Sequence, residues 1–541
     1  MEPFGKAETA SQRAEKALHL LKQALLRSPD DPDLHCDFGD ALQTLGQFER
    51  AVDEYAIALQ HNPGMARAWY AAGCAESARG EYVSALVCFH KVLEIHPDWA
   101  EALHNLGQVF FKLGQVGEAA ALFRQAANGS NPELPMAALA TIIPGSPGDG
   151  NQAILGARQA WALRYLPAPR PASRFPNRAS ALQRRKRIGY VSSFFQNRNW
   201  MKPVWALIRN HDQEQFEVHL FSDAPESAIQ PSVPKHCVFH DISNLSNESA
   251  ADEIDKRVID LLVDLNGYSA IRRLPLLALR PAPVIVGWFN MFATTGMPCY
   301  DYLIGDDEVI PPGEEEFYCE KIVRVPGSYL TFEVTYPVPN VVLPPCVATR
   351  AITFGCLAPL YKINDEVVAA WSRILQQAPE STLILRNSQL ASPGVREFVH
   401  RLFEARGIVP SRIRLEGPAE HYQFLRTYEE IDIALDTFPY NGGTTTTEAI
   451  WQGVPVLAFR GDRWAARTSA SILRAGGLRE FIAPCVEDYI SMAVKLALSP
   501  GTRRRLSGLR LIMRERLLAS PVCDTHGFAV SIEGLYRQML F

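Results

Sequence analysis

The stretch with the clearest chemistry is Asp436–Gly453, whose sequence is DTFPYNGGTTTTEAIWQG. An apolar, β-prone run ends at Asp436, two glycines follow, and a helical pattern opens near Thr445, which predicts a strand, a glycine turn and a helix. The first turn of a helix offers unpaired N–H groups and the positive end of the helix dipole, and both suit a diphosphate. The sequence therefore predicts a phosphate cradle at Gly443, Thr444 and Thr445, with simple helix capping by the threonines as the alternative.

Two charged residues fit the same ligand. Glu448 lies one turn into the predicted helix, where a carboxylate can accept both hydroxyls of a ribose. Lys362 follows another predicted strand, in the loop LAPLYKIND, just before a helix that Asn364 or Asp365 caps. A lysine aimed into the cleft from this loop would stabilise the charge that develops on a leaving phosphate. The alternative is a solvated lysine near a helix start.

The loop EGPAEHYQF, which follows a predicted strand at Ile413–Leu415, is expected beside the nucleotide turn. The backbone at Ala419 and the rings of His421 and Phe424 are candidates for holding a base. Ordinary loop packing is the alternative for each ring.

A general base is harder to choose from the sequence. His240 is followed by Asp241, an imidazole and a carboxylate that would act together if they were hydrogen-bonded, and a surface pair after a strand is the alternative. Arg198 cannot accept a proton near neutral pH, but its guanidinium can pair with phosphates. The acidic run GDDE at 305–308 is interpreted as a loop rather than a metal site.

The elements that position these residues begin with an internal repeat of 34 residues. Four columns keep this period: Gly39, Gly73 and Gly107; Gly46, Gly80 and Gly114; Ala51, Ala85 and Ala119; and Tyr55, Phe89 and Phe123. The pattern resembles the tetratricopeptide repeat and predicts an α-solenoid over residues 1–131. The concave face of such a solenoid usually binds an extended peptide.

Residues 132–185 are predicted to be linker helices between proline- and glycine-rich joins. From Arg187 onwards strand patterns alternate with helical ones, and a second alternating set follows the proline-rich segment 337–345, which predicts parallel sheets with right-handed crossovers. The predicted fold class is therefore α plus α/β. A Rossmann-like domain is expected over 186–336 and a nucleotide-binding one over 337–541, with a ligand cleft between the carboxyl ends of both sheets.

Composition limits the classes of partner. The 541 residues carry a net charge of −5, which argues against nonspecific binding to nucleic acid. Ten cysteines without a C-x-x-C pair favour free thiols in a reducing compartment over disulfides or a zinc site. The first residues form a charged helical pattern rather than a signal peptide, and no apolar run reaches the roughly 18 residues of a membrane span. We expect a cytoplasmic protein without nucleic-acid or membrane partners.

Seven motifs taken together resemble the inverting glycosyltransferases that add O-linked N-acetylglucosamine to proteins, the family that includes SPINDLY. They are GYVSS (189–193), LNGY (265–268), LRPAPV (279–284), YDY (300–302), LYKI (360–363), LDT (435–437) and NGGTTTTEAIWQG (441–453). The resemblance covers about residues 186–520, and tetratricopeptide repeats are that family's usual companion. It implies two Rossmann-like domains in the GT-B arrangement, no metal or other cofactor, a UDP-sugar donor and a Ser or Thr acceptor on proteins.

The resemblance also implies roles by position. They are Lys362 on the diphosphate, the backbone of Ala419 at uracil with His421 beside it, Thr444 and Thr445 on the phosphates, and Glu448 on the ribose, where the family has aspartate. Several positions depart from the family pattern. Arg198 and Asn199 replace a His-Pro pair whose histidine is a proposed catalytic residue, and Gly443 and Pro359 replace a histidine and a glutamine. The sugar loop is NMFATTG (290–296) in place of GYPGTSG, which makes Thr294, Thr295 and Gly296 the candidate sugar-loop residues.

We predict an enzyme that transfers N-acetylglucosamine from UDP-N-acetylglucosamine to Ser or Thr with inversion, with Lys362, His240 and Arg198 as candidate catalytic residues. The altered sugar loop leaves open a relative that transfers hexose or fucose, with Asn as a further acceptor. Replacement of the expected histidine by Arg198 leaves open a UDP-sugar-binding scaffold with little catalysis. The repeats have three candidate partners: an acceptor protein, a second copy of the chain in a homodimer, or a regulator.

Overall fold

The computed structural model describes residues 9–171, 184–197, 199–229 and 233–540. Its N-terminal part is a solenoid whose helices pack in antiparallel pairs, α2 with α3, α4 with α5 and α6 with α7. The seven helices are α1 (Ala10–Leu25), α2 (Pro32–Thr44), α3 (Phe48–His61), α4 (Ala66–Arg79), α5 (Tyr82–Ile95), α6 (Ala100–Lys112) and α7 (Val116–Ala126). The predicted repeat solenoid is confirmed.

The repeating columns have a direct packing reason. A Cβ atom built on Gly39 would lie 2.5 Å from the Tyr55 ring, and the same close approach joins Gly73 to Phe89 and Gly107 to Phe123. Only a glycine lets the second helix of each pair, with its buried aromatic ring, come so near the first. The second glycine column lies at the turn between paired helices, where the backbone is left-handed, for example with φ +83° at Gly114.

Two linker helices, α8 (Glu133–Ile142) and α9 (Asn151–Tyr165), connect the solenoid to the first α/β domain. Arg158 of α9 is buried, and its guanidinium donates to the carbonyl oxygens of Ala140 at 3.1 Å and Thr294 at 2.5 Å. The same guanidinium lies 4.1 Å above the centre of the Tyr268 ring. The linker is therefore fastened to the domain that follows it.

The first α/β domain is a parallel sheet of seven described strands in the order β3-β2-β1-β4-β5-β6-β7. The strands are β1 (Lys186–Ser192), β2 (Phe216–Ser222), β3 (Val238–Asp241), β4 (Leu261–Asp264), β5 (Val284–Gly287), β6 (Tyr302–Gly305) and β7 (Lys321–Arg324). The helices are α10 (Lys202–Arg209), α11 (Glu226–Ile229), α12 (Asn247–Lys256) and α13 (Leu274–Ala278). Strands β4 and β5 are buried along their whole length, which explains why they read as continuous apolar runs.

The second α/β domain is a parallel sheet of six described strands in the order β10-β9-β8-β11-β12-β13. The strands are β8 (Thr353–Cys356), β9 (Thr382–Arg386), β10 (Ile413–Glu416), β11 (Ile433–Leu435), β12 (Val456–Phe459) and β13 (Ile482–Ala483). The helices are α14 (Cys346–Thr349), α15 (Asp365–Gln377), α16 (Pro393–Glu404), α17 (His421–Arg426), α18 (Thr444–Trp451), α19 (Thr468–Ala475), α20 (Val486–Leu498), α21 (Thr502–Leu518) and α22 (Thr525–Leu540). The predicted fold class, a solenoid followed by two Rossmann-like domains, is confirmed.

The chain crosses between the two α/β domains twice. The first crossing follows β7, and the second returns α22 to the first domain, where the Tyr536 hydroxyl lies 3.0 Å from that of Tyr190. The two crossing segments are hydrogen-bonded to each other, because the Val522 carbonyl accepts from the Phe332 N–H at 2.7 Å and from the Thr331 hydroxyl at 2.9 Å. The crossings therefore run side by side.

Acidic residues of the first domain bind arginines of the second. Glu308, in the acidic run GDDE, pairs with Arg460 and, at 2.8 Å, with Arg474, and Glu314 pairs with Arg467 at 2.8 Å. The run leaves the end of β6 as a loop, as the sequence interpretation proposed, and its Glu308 joins the two domains. No helix in the described ranges is both long and apolar enough to cross a membrane.

Candidate active site

A cavity of about 520 Å³ lies between the two α/β domains. Its wall comes from loops that follow the carboxyl ends of strands in both sheets, which is where the ligand of a doubly wound sheet binds. These loops supply, among others, Phe194 after β1, Tyr268 after β4, Met291 after β5, Lys362 after β8 and Thr444 after β11. The solenoid and the linker close the remaining side with Phe111, Val116, Ile142 and Pro144.

The predicted phosphate cradle forms one part of this wall. Helix α18 begins at Thr444, and no described side chain caps its first turn, so its N–H groups remain available to a ligand. Asp436 fixes the preceding turn, because its Oδ1 accepts the Gly442 N–H at 2.8 Å. Gly443, Thr444 and Thr445 all line the cavity. Diphosphate binding at this helix start is therefore possible sterically and electrostatically.

Lys362 lies on the same wall. Its Nζ donates to the Asn441 carbonyl at 2.7 Å and sits 4.0 Å above the centre of the Tyr440 ring. Burial lowers the pKa of the Lys362 ammonium to about 8, although the Asp436 carboxylate favours the charged form. The structure thus brings the predicted lysine and the predicted glycine turn together.

The loop and the turn are also joined through Asn364. Its side chain caps α15 by accepting from the Val367 N–H at 3.0 Å, and it donates to the Phe438 carbonyl at 2.7 Å. One asparagine therefore both starts the helix after Lys362 and fixes the loop before α18.

Glu448 lies behind the wall rather than on it. The side chain is 4% exposed, and its Oε1 accepts from Lys202 and lies 2.9 Å from Nε2 of His421. Burial alone would raise the pKa of the Glu448 carboxyl, but the hydrogen bond from His421 and the charge of Lys202 outweigh it and hold that pKa below its ordinary value. Glu448 is thus a buried carboxylate between a cation of the first domain and a ring of the second.

The predicted base-binding loop lies next to Glu448. His421 opens α17, and its ring packs edge-on against Tyr336 at 4.9 Å and parallel to Phe424 at 6.5 Å. Ala419, just before α17, is partly buried. The structure therefore places His421 against Glu448 and Phe424 against His421, and Ala419, His421 and Phe424 all lie outside the residues that line the cavity.

The threonines of the predicted sugar loop, Thr294 and Thr295, do not line the cavity but hold the loop in its fold. The hydroxyls of Thr294 and Thr295 both donate to the buried carboxylate of Glu320, at 2.8 Å for Thr294, and the Thr295 N–H donates to it at 2.6 Å. A Cβ atom on Gly296 would lie 2.7 Å from that of Arg158, and Gly296 has φ +67°. These three residues fold the loop, and its cavity-lining members are Asn290, Met291 and Phe292.

The structure does not bring His240 to the cavity. His240 lies on the edge strand β3, where Nε2 is 3.0 Å from Nδ1 of His219 and the ring stacks on Phe221 at 4.7 Å. Burial lowers the pKa of His240 to about 4, and the charges of His219 and Arg257 add to this effect. Asp241 hydrogen-bonds Ser243. Arg198, the other candidate, lies outside the described residues.

Sequence reasoning missed two cations that line the cavity, Lys202 and Arg158. The signal for Lys202 was its place directly before the apolar run PVWALI, since a charge that is buried with such a run needs a partner. Arg158 gave no such signal, because its partners are backbone carbonyls far away in the sequence.

The solenoid, the tandem parallel sheets and the phosphate cradle in the cleft define a repeat-fused transferase of the two-domain GT-B class. The chain belongs to glycosyl transferase family 41, whose model matches residues 167–338 and 345–532. Tetratricopeptide repeat models match residues 8–73 and 70–135. The family membership suggested by the seven motifs is confirmed.

Similar proteins include two plant relatives and one solved bacterial structure. A probable UDP-N-acetylglucosamine–peptide N-acetylglucosaminyltransferase SPINDLY from Petunia hybrida is 31% identical over 390 residues, which are 71% of this chain and 41% of the relative. The protein SEC of Arabidopsis thaliana, described in the same terms, is 30% identical over 371 residues, 66% of this chain and 37% of the relative. The chain thus spans about two fifths of the length of these relatives.

The structure of a point mutant of the Thermobaculum terrenum O-GlcNAc transferase matches with a TM-score of 0.78 and 28% identity. The match covers 99% of this chain and 98% of that chain. The arrangement of solenoid and both α/β domains is therefore shared along the whole length of the two chains.

Proposed function

We propose that this chain transfers N-acetylglucosamine from UDP-N-acetylglucosamine to Ser or Thr hydroxyls of proteins, with inversion at the anomeric carbon. The observation that carries the proposal is the assembly of Lys362, the uncapped start of α18 and the nearby Glu448 at the cleft of a family 41 fold. Lys362 and the start of α18 suit the diphosphate of a UDP-sugar, while the buried Glu448 pairs with Lys202 and His421 behind them. The names of the plant relatives and of the bacterial structure point to the same donor.

In the proposed reaction the acceptor hydroxyl oxygen attacks the anomeric carbon from the face opposite UDP. The bond between that carbon and the β-phosphate oxygen breaks, and UDP leaves with both electrons of the bond. Lys362 and the N–H groups of Thr444 and Thr445 offset the negative charge that forms on the β-phosphate. We propose that this cradle serves in place of a metal ion, so transfer should continue in the presence of a chelator.

The hydroxyl proton needs an acceptor as the new bond forms. The described residues that line the cavity include no carboxylate and no imidazole, while His240 lies on the far edge of its sheet. We therefore assign the proton to a phosphate oxygen of the donor itself. Positioning of the two substrates and stabilisation of the leaving group then provide most of the rate enhancement.

We further propose that protein acceptors reach the cavity along the solenoid. Phe111 and Val116 belong to the last helix pair and also form part of the cavity wall, so a peptide held by the solenoid arrives directly at the sugar. The ten cysteines are free thiols, which supports a reducing, cytoplasmic location.

The experiment that tests the proposal is a transfer assay with a pool of Ser- and Thr-containing acceptor peptides and labelled UDP-N-acetylglucosamine, UDP-glucose or GDP-fucose. We expect label on Ser or Thr with the first donor and none with Lys362→Met. Label from another donor, or on Asn, would favour a transferase for a different sugar. Tight UDP binding without any label would favour the scaffold.

A further inference from the structure

Lys202 is a charged residue in an unusual place. It begins α10 of the first α/β domain, and every residue from Lys202 to Ile208 is buried. Its own side chain is 5% exposed, yet it lines the cavity. A buried ammonium is costly unless charge and hydrogen bonds compensate it, so this position calls for a reason.

The partners of Lys202 leave part of its ammonium unused. Among the described residues, Glu448 alone accepts a hydrogen bond from it, whereas an ammonium has three N–H donors. That carboxylate oxygen is shared with His421. The rings of Tyr336 and Phe332 lie 4.4 and 5.5 Å from Nζ, and they favour a cation without accepting a conventional hydrogen bond.

The surroundings make the cavity strongly receptive to an anion. The wall that contains Lys202 also contains Thr444 and Thr445, at the positive end of α18, and Lys362. Lys202, Lys362 and a helix start thus face one space, and Glu448, which compensates Lys202, lies behind the wall. A ligand with two negative charges would complete this arrangement.

We propose that Lys202 is a donor-binding residue that brings its ammonium from the first α/β domain to the diphosphate of the bound nucleotide. Glu448 holds the ammonium in place across the domain boundary, and Lys362 meets the same diphosphate from the second domain. This inference rests on the proposed function, because it takes the diphosphate of a UDP-sugar to be the anion in the cradle. It makes nucleotide binding depend on both domains at once.

A purely structural ion pair between Lys202 and Glu448 would behave differently. Its loss would lower stability and weaken every ligand that needs the closed cleft, whether or not the ligand carries phosphate. A contact with the diphosphate affects phosphate-bearing ligands selectively. Comparing UDP with uridine on the same protein sample therefore separates the two roles.

The test is titration of the full chain with UDP by calorimetry and with uridine by ligand-observed NMR. For Lys202→Met we expect UDP affinity to fall about 10- to 100-fold, as for the loss of a hydrogen bond between charged groups, while uridine affinity changes less than about twofold. The dependence of UDP affinity on salt concentration should also weaken. Lys495→Met, which removes an exposed lysine of α20, should change neither affinity.

Removal of one member of a buried ion pair can impair folding, so the double variant Lys202→Met/Glu448→Leu is measured as well. This double variant leaves no unpaired charge. We expect its preference for UDP over uridine to be reduced to the same extent as in Lys202→Met. Equal weakening of UDP and uridine in Lys202→Met, or an unchanged preference in either variant, would overturn the inference. Wild-type protein that binds UDP but transfers no sugar would contradict the proposed function alone, whereas wild-type protein that binds no UDP would overturn both.

Discussion

The ring of Phe111, in the last helix pair of the solenoid, stacks on the ring of Tyr361 at 5.0 Å, with 25° between the ring planes. Tyr361 immediately precedes Lys362, so the solenoid packs on the loop that carries this lysine. Gly114 strengthens this contact, because its backbone lies against the carbonyl oxygens of Leu360 and Ile363. The last helix pair of the solenoid and the loop that carries Lys362 are therefore packed against each other.

The first prediction concerns this junction. In Gly114→Ala, a Cβ atom would lie 2.5 Å from the Ile363 carbonyl oxygen, in addition to the strain of a left-handed residue with φ +83°. Gly80→Ala is the matched control, because it has φ +81° at the equivalent turn and no described atom within 4 Å of the added Cβ. We expect the control to lose about 1 kcal/mol of stability and Gly114→Ala about 2 kcal/mol more. Thermal unfolding of both variants measures the difference, and equal melting temperatures would contradict it.

The second prediction concerns Lys362. Lys362→Met should lower the rate of transfer about 10²- to 10³-fold, because it removes a charge that faces the leaving phosphate. Lys362→Arg keeps the charge but not the fit over the Tyr440 ring, so it should retain only part of the activity. Single-turnover assays at saturating donor measure the effect. Near-normal turnover of the methionine variant would exclude Lys362 from the mechanism.

The third prediction is a pH dependence of UDP binding. Because burial lowers the pKa of Lys362 to about 8 in the free protein, the lysine is largely neutral above that pH. A bound diphosphate favours the charged form, so binding should take up as much as one proton above pH 8 and little below it. UDP affinity should therefore fall as the pH rises from about 8 to 9.5. Calorimetry in buffers with different ionisation enthalpies counts the protons, and Lys362→Arg, which stays charged, should show no uptake.

The fourth prediction concerns the loop 290–296. Glu320→Gln keeps one acceptor oxygen but places an amide group against donors of Thr294 and Thr295, at a cost of about 1–3 kcal/mol. We expect slower sugar transfer with unchanged UDP affinity. The loop lines the cavity through Asn290, Met291 and Phe292, and it is not part of the phosphate cradle. Glu316→Gln, at an exposed position nearby, is the control. A parallel loss of UDP affinity would show that the loop supports the nucleotide instead.

The solenoid was predictable because its signals are local and periodic. Each glycine in the first column meets the aromatic residue sixteen positions later, as Gly39 meets Tyr55, so the contact is visible in the sequence itself. The buried central strands of both sheets were predictable for a similar reason, since burial on both faces demands an unbroken apolar run.

Two of the edge strands, β3 and β13, escaped prediction, whereas the edge strand β10 was predicted at Ile413–Leu415. Only one of the four residues of β3, His240, is fully buried, and β13 has two residues, so neither strand stands out from a loop. This matters for function, because the sequence left two interpretations of His240 and Asp241, a catalytic pair or a surface pair after a strand. His240 is instead inside β3, with its ring packed between His219 and Phe221.

In the candidate site, the sequence was enough to group residues that lie at one edge of a sheet. Contacts between elements that are distant in the sequence could not be predicted from it. Lys362 and Thr444 follow neighbouring strands, so topology alone brings them together. The partnership of Lys202 with Glu448 spans 246 positions and two domains, and nothing in either neighbourhood specifies it. The same is true of Glu320, whose three bonds determine how the sugar loop folds.

The paired crossings at Phe332 and Val522 have a mechanical consequence. Two connections that are hydrogen-bonded side by side cannot slide past each other without breaking the bonds to the Val522 carbonyl. Together with the ion pairs of Glu308 and Glu314, they restrict how the two α/β domains can shift against each other. Because Thr331 and Phe332 also line the cavity, a displacement of the connections would change the shape of the space where the nucleotide would lie.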